Sequence, residues 1–454
     1  MSKGQFMDSR LTAPIFALAL ASTVASAPAR ANFDEGAAAF ERGDYAAALR
    51  MFRPLAEKGH RPAQFNLGLM YSTGRGVPEN APEAAKWYLR AAEQGSARAQ
   101  YNLALMYETG RGVPENPGEA FRWYHKAADQ DHPNAQFNMA LLYDQGRGVP
   151  MDSGAAAAWF LKAAELGHVG AMVNIAIMYN TADGIARNPS EAAEWFEHAA
   201  DLGNAQAQHA LAHLYAKGEG VPQDFAEAAY LWRKAADQGL AGAQYNLGIV
   251  YEKGHGVSRN LDEALAWYRK AADRSHPAAQ WALGTMYEYG RGLPRDIAGA
   301  AKWYRAAAEQ GLAEAQHSLG AIYDKRGADS DNPAEATGWY RKAANQNHAG
   351  AQYALGRLLE KGRGVAESPS EAARWYQKAA DQGNADAQNA LGQLYAKGVG
   401  VREDFVQAHK WFNIAAAAGN ELARRNRDAM GEKMTPQQLA EAQRQARLFR
   451  PRRF

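Results

Sequence analysis

Ala63-Gln64-Phe65-Asn66-Leu67-Gly68-Leu69-Met70-Tyr71 is followed by Gly74-x-Gly76-Val77, then by Ala84-Ala85-x-Trp87-Tyr88 and Ala91-Ala92-x-x-Gly95. The series returns along the chain. Its Ala-Gln opening stands at residues 63, 99, 135, 207, 243, 279, 315, 351 and 387, with Ala171-Met172 in the one gap. Every step is 36 residues, so ten units run from 63 to 422 without insertion or deletion. Register held over that length marks stacked copies of one supersecondary unit, not a set of unrelated globular domains.

Each unit reads as two helices. Ala63, Leu67 and Tyr71 share one stripe, and Ala84, Trp87, Tyr88, Ala91 and Ala92 share a second of the same period. A loop glycine between them suits the left-handed residue that ends a helix, and Val77 is placed to plug the gap beneath the turn. The second helix opens on a column of strong N-caps: Asn80, Asn116, Asp152, Asn188, Asp224, Asn260, Asp296, Asn332, Ser368 and Asp404. Glu83, Glu119, Glu191, Glu227, Glu263, Glu335 and Glu371, with Gln407, follow three residues later, which predicts a capping-box-like start. One Trp per unit at a constant phase (87, 123, 159, 195, 267, 303, 339, 375, 411) is read as core that buries each unit on its neighbour. In the unit from 207 the order changes to Leu231-Trp232. The column from Gly68 holds only Gly or Ala, as close helix contact requires.

Together these residues closely resemble the Sel1-like repeat, a relative of the tetratricopeptide repeat. The resemblance covers all ten units, with local lapses: Ala182 for a loop glycine, Lys325-Arg326-Gly327 for a shifted one, Leu359 for the tyrosine, and Asp131, Ser275 and Asn347 for the closing glycine. It implies an all-α, right-handed solenoid acting as a scaffold or adaptor, in bacteria often an exported protein engaged in regulation, secretion or host contact. Some relatives staple each unit with a disulfide; this chain has no cysteine.

The remaining segments frame the repeats. Residues 1–31 read as an export signal: Lys3 and Arg10 precede an apolar run from Leu11 to Ala21, and Ala29-Arg30-Ala31 fits an A-x-A cleavage site. Ala25-Ser26-Ala27 fits less well because Pro28 would follow the cut. The run falls short of the roughly 20 apolar residues a spanning helix needs. A periplasmic or secreted location follows as an expectation. Residues 32–62 read as a capping hairpin, with helices over 33–42 and 45–58 around a Gly43-Asp44 turn. Residues 423–454 leave the repeat. From 421 onward the chain carries a net charge of +5 against about −5 for residues 32–420, and Thr435-Pro436 announces a closing helix. That segment is either a polar cap for the last unit or a basic contact to an anionic partner.

With Ala63, Leu67 and Tyr71 facing the core, the first helices turn other columns toward a groove, the phase that forms the concave binding face in tetratricopeptide relatives. Candidate partner-binding residues are Phe65, Asn66 and Leu69; Tyr101, Asn102 and Leu105; Phe137, Asn138 and Leu141; Asn174 and Ile177; and Tyr245 and Asn246. Each asparagine amide offers a donor and an acceptor to an extended peptide, and the aromatic residues offer apolar anchors. The same columns equally suit packing of one first helix on the next, with Asn satisfying buried backbone.

Chemistry is otherwise sparse. The whole-chain net charge of +2 gives no general reason to expect nucleic acid. His209 and His213 are spaced i and i+4 but lack the Glu of an H-E-x-x-H frame. Ser330-Asp331-Asn332 copies one element of penicillin-recognising enzymes, without an S-x-x-K or K-T-G to accompany it. The recurrent G-x-G lies between two helices, outside any βαβ unit. No catalytic residue, cofactor or metal is therefore expected. The chain reads as a non-enzymatic scaffold for a protein partner, in envelope regulation, secretion or polysaccharide assembly; the alternative is a cell-wall-directed binder or hydrolase of peptidoglycan or β-lactams.

Overall fold

The computed structural model describes residues 27–325 and 331–452, so the expected export signal as far as residue 26, and Ser330, lie outside the described residues. Among the described residues there are helices and no strands. An opening pair, α1 (Ala27–Glu41) and α2 (Tyr45–Glu57), precedes ten repeat pairs. These are α3 (Arg61–Thr73) with α4 (Ala81–Glu93), α5 (Ala97–Thr109) with α6 (Pro117–Ala128), α7 (Pro133–Gln145) with α8 (Ser153–Glu165), and α9 (Val169–Thr181) with α10 (Pro189–Asp201). Next come α11 (Ala205–Lys217) with α12 (Phe225–Asp237), α13 (Ala241–Lys253) with α14 (Leu261–Asp273), and α15 (Pro277–Tyr289) with α16 (Ile297–Glu309). The last three pairs are α17 (Ala313–Tyr323) with α18 (Pro333–Asn345), α19 (Ala349–Lys361) with α20 (Pro369–Asp381), and α21 (Ala385–Lys397) with α22 (Phe405–Ala417). Two closing helices follow, α23 (Glu421–Gly431) and α24 (Pro436–Leu448).

The chain divides into two compact units, up to Leu231 and from Trp232 onward. Both are built by one rule. The two helices of a pair pack together, and the second packs on the first helix of the next pair: α4 on α5, α6 on α7 and α8 on α9 in the first unit, α14 on α15, α18 on α19 and α20 on α21 in the second. The small-residue column lies where helices touch: the Tyr304 ring sits directly on Gly284, and the Tyr376 ring on Gly356. Six tryptophans of the column (87, 123, 267, 339, 375, 411) are at least nine-tenths buried, and Trp159, Trp195 and Trp303 are half-buried. Lysine ammoniums lie over several rings, at 3.7 Å for Lys270 on Trp267 and 4.0 Å for Lys162 on Trp159.

Ala-Gln proves to be the joint between repeats. Gln100 Nε2 donates to the Ala92 carbonyl at the end of the preceding α4 (3.0 Å), and its Oε1 accepts from Gln130 Nε2 at the end of its own pair (2.7 Å). Gln64, Gln280, Gln316 and Gln352 repeat both bonds. The amide satisfies a helix-end carbonyl that a buried junction would otherwise strand. Where the second glutamine is replaced, by Leu166, Arg274 or Ala418, the Oε1 atoms of Gln136, Gln244 and Gln388 have no hydrogen-bond partner among the described residues.

The loop glycines do two jobs. Gly146 ends α7 at φ 65°, whereas a Cβ on Gly148 would run into the Pro117 carbonyl at the start of the preceding α6. The second glycine therefore admits close approach of successive repeats. The lapses seen in the sequence keep the geometry without the residue: Asp131, Ala182, Ser275 and Asn347 hold φ between 56° and 65°.

Nine of the ten N-caps accept a backbone N–H as expected, and Ser368 makes no such bond. No capping box closes at these ten helices. The N-cap N–H is already taken by a carbonyl of the first helix, that of a tyrosine in nine pairs, as in Asn80 to Tyr71 (2.9 Å) and Asn116 to Tyr107 (2.8 Å), and that of Leu359 for Ser368. The glutamates turn outward instead, Glu83 to Lys86 and Glu371 to Arg341. At the N-terminus, α1 begins before the expected Phe33; Phe33, Phe40 and Phe52 form the end core with Leu67 and Trp87. At the other end Thr435 and Gln438 do form a capping box. The α24 helix lies on α22 and scarcely meets α23, Phe449 packs on Trp411, and the Arg452 N–H reaches the Asp381 carbonyl (2.8 Å).

Relief of left-handed strain of roughly 1–2 kcal/mol, less the added unfolded-state entropy of glycine, predicts that Ala182→Gly stabilises the chain by about 0.5–1 kcal/mol. A higher midpoint in urea with unchanged slope checks it.

Candidate binding surface

The first helices carry the columns that the sequence assigns to a groove, and the structure places those residues in three different situations. The aromatic column is enclosed. Phe65, Tyr101 and Phe137 are at most 5% exposed, each set against the ring of its own second helix: Tyr88 at 5.8 Å, Tyr124 at 5.7 Å and Phe160 at 5.6 Å between centroids. Tyr101 and Phe137 also stack on the histidine that caps the next first helix, His132 at 4.9 Å and His168 at 4.3 Å. Tyr245 is half-buried in the second unit and repeats the arrangement with Tyr268 and His276. These rings hold one repeat on the next, which leaves Phe65, Tyr101 and Phe137 little surface for a partner.

The asparagine column is divided. Asn138 Nδ2 donates to the Tyr124 hydroxyl of the preceding repeat (2.9 Å), and the Tyr88 hydroxyl is hydrogen-bonded by Asn102. Asn174 bonds back to the Gly170 carbonyl one turn earlier (2.8 Å). Asn66 is fully enclosed, while Asn102, Asn174 and Asn246 are half-buried. The tyrosine hydroxyls also donate to a carboxylate on their own first helix, Tyr124 to Glu108 (2.8 Å) and Tyr268 to Glu252 (2.8 Å). An arginine from the next loop closes the clamp, Arg147 on Glu108 and Arg291 on Glu252. Burial, then the adjoining carboxylate, holds these phenols far above their ordinary pKa, so they stay neutral donors.

The third column remains accessible. Leu69 is buried at the first repeat, but Leu105, Leu141 and Ile177 on α5, α7 and α9 are half-buried, one per repeat at the same phase. Thr109 and Gln145 stand four residues on and are exposed. The result is an apolar line along the first unit with a polar margin. Asn246 lies in the second unit. His209 is 9% exposed and meets His213 edge to face at 4.7 Å. Among the described residues no three metal-ligating side chains converge. Asn332 serves as an N-cap, donating its amide to Glu335 and accepting the Glu335 N–H.

Histidine caps are a feature that the sequence reading passed over. His60, His132, His168, His276 and His348 each accept a backbone N–H through Nδ1, three residues ahead. Ser96, Asn204 and Asn384 fill the same role at the start of three other first helices, and Leu240 and Leu312 stand at the remaining two without a side-chain cap. An imidazole accepts there only while that nitrogen is unprotonated. Burial, reinforced by the Arg98 charge, pushes His132 down to about 4.

Comparison with known proteins bears directly on this arrangement. The Sel1 repeat family model matches ten consecutive segments, from residues 61–96 through 385–420. The chain belongs to the Sel1 repeat family. It is similar to a protective antigen present in uropathogenic Escherichia coli strains, whose crystal structure displays an SLR fold: 37% identity, TM-score 0.84, covering 93% of this chain and 91% of that one. A Sel1 repeat protein from Oxalobacter formigenes is 29% identical with TM-score 0.52, covering 76% of this chain and 90% of its own. No curated protein matches the chain. The family and the helix pairs together define an all-α solenoid of Sel1 repeats, with no described helix long and apolar enough to cross a membrane.

Two measurements separate packing from binding in these columns. Asn138→Ala is expected to destabilise the chain by about 1 kcal/mol, the usual net worth of a buried hydrogen bond, read as a lower urea midpoint. For the histidine caps, the folded value lies below the unfolded one, so the unfolded chain takes up protons first. Their contribution is complete above about pH 6.5 and is lost as the pH falls toward 4. His132→Asn keeps a cap that cannot titrate, and its melting temperature is expected to fall less than that of the parent chain between pH 7 and pH 4.5.

Proposed function

We propose that the chain is an exported, non-catalytic scaffold that holds an extended or helical segment of another protein along α5, α7 and α9. The observation that carries this is the line of Leu105, Leu141 and Ile177, half-exposed at one position per repeat after the neighbouring rings and amides have been taken up by the fold. A row of apolar side chains at the repeat spacing gives a partner one anchor per repeat, and the exposed Thr109 and Gln145 offer polar groups at the margin. Against the hydrolase alternative, Asn332 is accounted for as a cap.

Two observations support export. Arg30, Ala31 and Asn32 are exposed and Phe33 is enclosed, so cleavage after Ala31 leaves the described core intact. The similar Escherichia coli protein is a protective antigen, a role that suits a chain outside the cytoplasm. Envelope regulation, secretion and polysaccharide assembly are the settings in which such a scaffold would work.

The test uses the mature chain and its Leu105→Ser/Leu141→Ser/Ile177→Ser variant as baits in extract of the source envelope, with retained proteins identified by mass spectrometry. A specific protein held by the parent and lost roughly tenfold or more by the variant, at equal helix content, is the expected result. Equal retention by both baits would remove the groove reading, and turnover of nitrocefin or muropeptides by the parent would favour the hydrolase instead.

A further inference from the structure

The last repeat ends in a polar notch where the ring-on-small-residue pattern of the repeats breaks off. In each pair the first helix presents a core column and, beside it, a glycine or alanine that receives a ring from the second helix. The α23 helix continues the register of the first helices: 360 residues after Leu67, Gly68 and Tyr71 it carries Arg427, Asp428 and Gly431. These residues cannot receive a ring, and none is delivered, because α24 lies on α22 instead. A cavity of about 680 Å³ is left between α23 and α24, with α22 as its floor.

The floor is altered as well. His409 occupies the position held by Ala85, Ala157, Ala193, Ala229, Ala301 and Ala373 in other repeats. It lines the cavity and is 4% exposed; Nε2 is the ring nitrogen beside Gly431, while Nδ1 is enclosed and has no hydrogen-bond partner among the described residues. A polar ring buried without a partner is costly in a fold that had alanine as its habitual choice. Burial and the Arg427 charge hold the imidazole below its ordinary pKa, so it is neutral, with one donor and one acceptor nitrogen.

The walls carry matched charge. Arg427 is committed to its neighbour, its Nε and Nη2 donating to Asp428 Oδ1 at 2.9 and 2.7 Å. Arg447 on α24 and Glu432 at the end of α23 line the same cavity, are exposed, and have no ion-pair partner among the described residues. A simple anion would meet Glu432 and Asp428, and a simple cation Arg447 and Arg427, so neither gains from the site as a whole. A ligand with one charge of each sign at its two ends satisfies both free groups by charge-assisted hydrogen bonds. The volume falls within the roughly 300–1,000 Å³ of small-ligand sites.

We propose that this notch binds a short peptide with both ends ionised, its carboxylate at Arg447 and its ammonium at Glu432, while His409 and Asn413 meet the amide groups between. The site is separate from the groove of the first unit, and its fate leaves that reading unchanged.

The full mature chain is titrated by calorimetry with trialanine, with N-acetyl-trialanine amide, and with acetate and methylammonium as separate ions, while the His409 ring resonances are followed by NMR and assigned through His409→Ala. Saturable binding of trialanine that moves the His409 resonances, with no such effect from the blocked peptide or the separate ions, is the expected result. Arg447→Gln and Glu432→Gln should each weaken it roughly tenfold or more at unchanged melting temperature, since both side chains are exposed. The proposal is overturned if trialanine leaves His409 unmoved in the folded chain, if the blocked peptide or either separate ion binds as well, or if both variants bind like the parent.

Discussion

A buried glutamine amide fastened to the end of the preceding helix is the interaction on which nine of the ten repeat junctions depend, Met172 standing at the tenth. Stacking helix pairs buries the last turn of every second helix, and with it carbonyl groups that water can no longer reach. Gln64, Gln100, Gln280, Gln316 and Gln352 answer this need in the same way, one amide reaching back to a carbonyl and accepting a second amide from its own repeat. Because a solenoid is held by nearest-neighbour contacts, a bond of modest net worth acquires weight by recurring at junction after junction.

Other features of the junction follow from the same closeness. A second loop glycine is required where the loop meets the preceding pair, and a residue other than glycine is forced into left-handed backbone at Ala182 and Ser275 because the turn cannot open without parting the stack. Tyrosine, carboxylate and loop arginine join three chain segments at Tyr124, Glu108 and Arg147, and again at Tyr268, Glu252 and Arg291. Tyr101 and Phe137, which the sequence offers as apolar anchors, stack on histidine caps one repeat later. What the junctions leave over is the line of Leu105, Leu141 and Ile177 on the first unit and the notch where α23 abandons the pattern, and the two proposed binding sites rest on these.

Much of this was legible from residues 63–422: the ten pairs, the N-cap column, the tryptophan core and the small-residue helix contact all follow from a constant period and local chemistry. The division of the candidate site was not. Tyr101 and Leu105 both lie off the core stripe of α5, yet Tyr101 is enclosed and Leu105 half-open, because Tyr101 is held by the Tyr124 ring of its second helix and by the His132 cap of the next repeat. Asn138 is likewise committed to Tyr124, a residue 14 positions away on another helix.

The sequence by itself determined the helices, their pairing and the number of repeats, since helix periodicity, capping and turn chemistry act within a few residues and recur in fixed register. Only the tertiary structure decided which polar groups are used up in holding the repeats together, and which are left for a ligand. That choice depends on contacts between residues some 14 to 39 positions apart, such as Arg147 with Glu108, and on where α24 comes to rest. Burial and hydrogen bonding are properties of the assembled stack, so a histidine in place of an alanine at position 409 acquires its meaning only once α23 and α24 have closed around it.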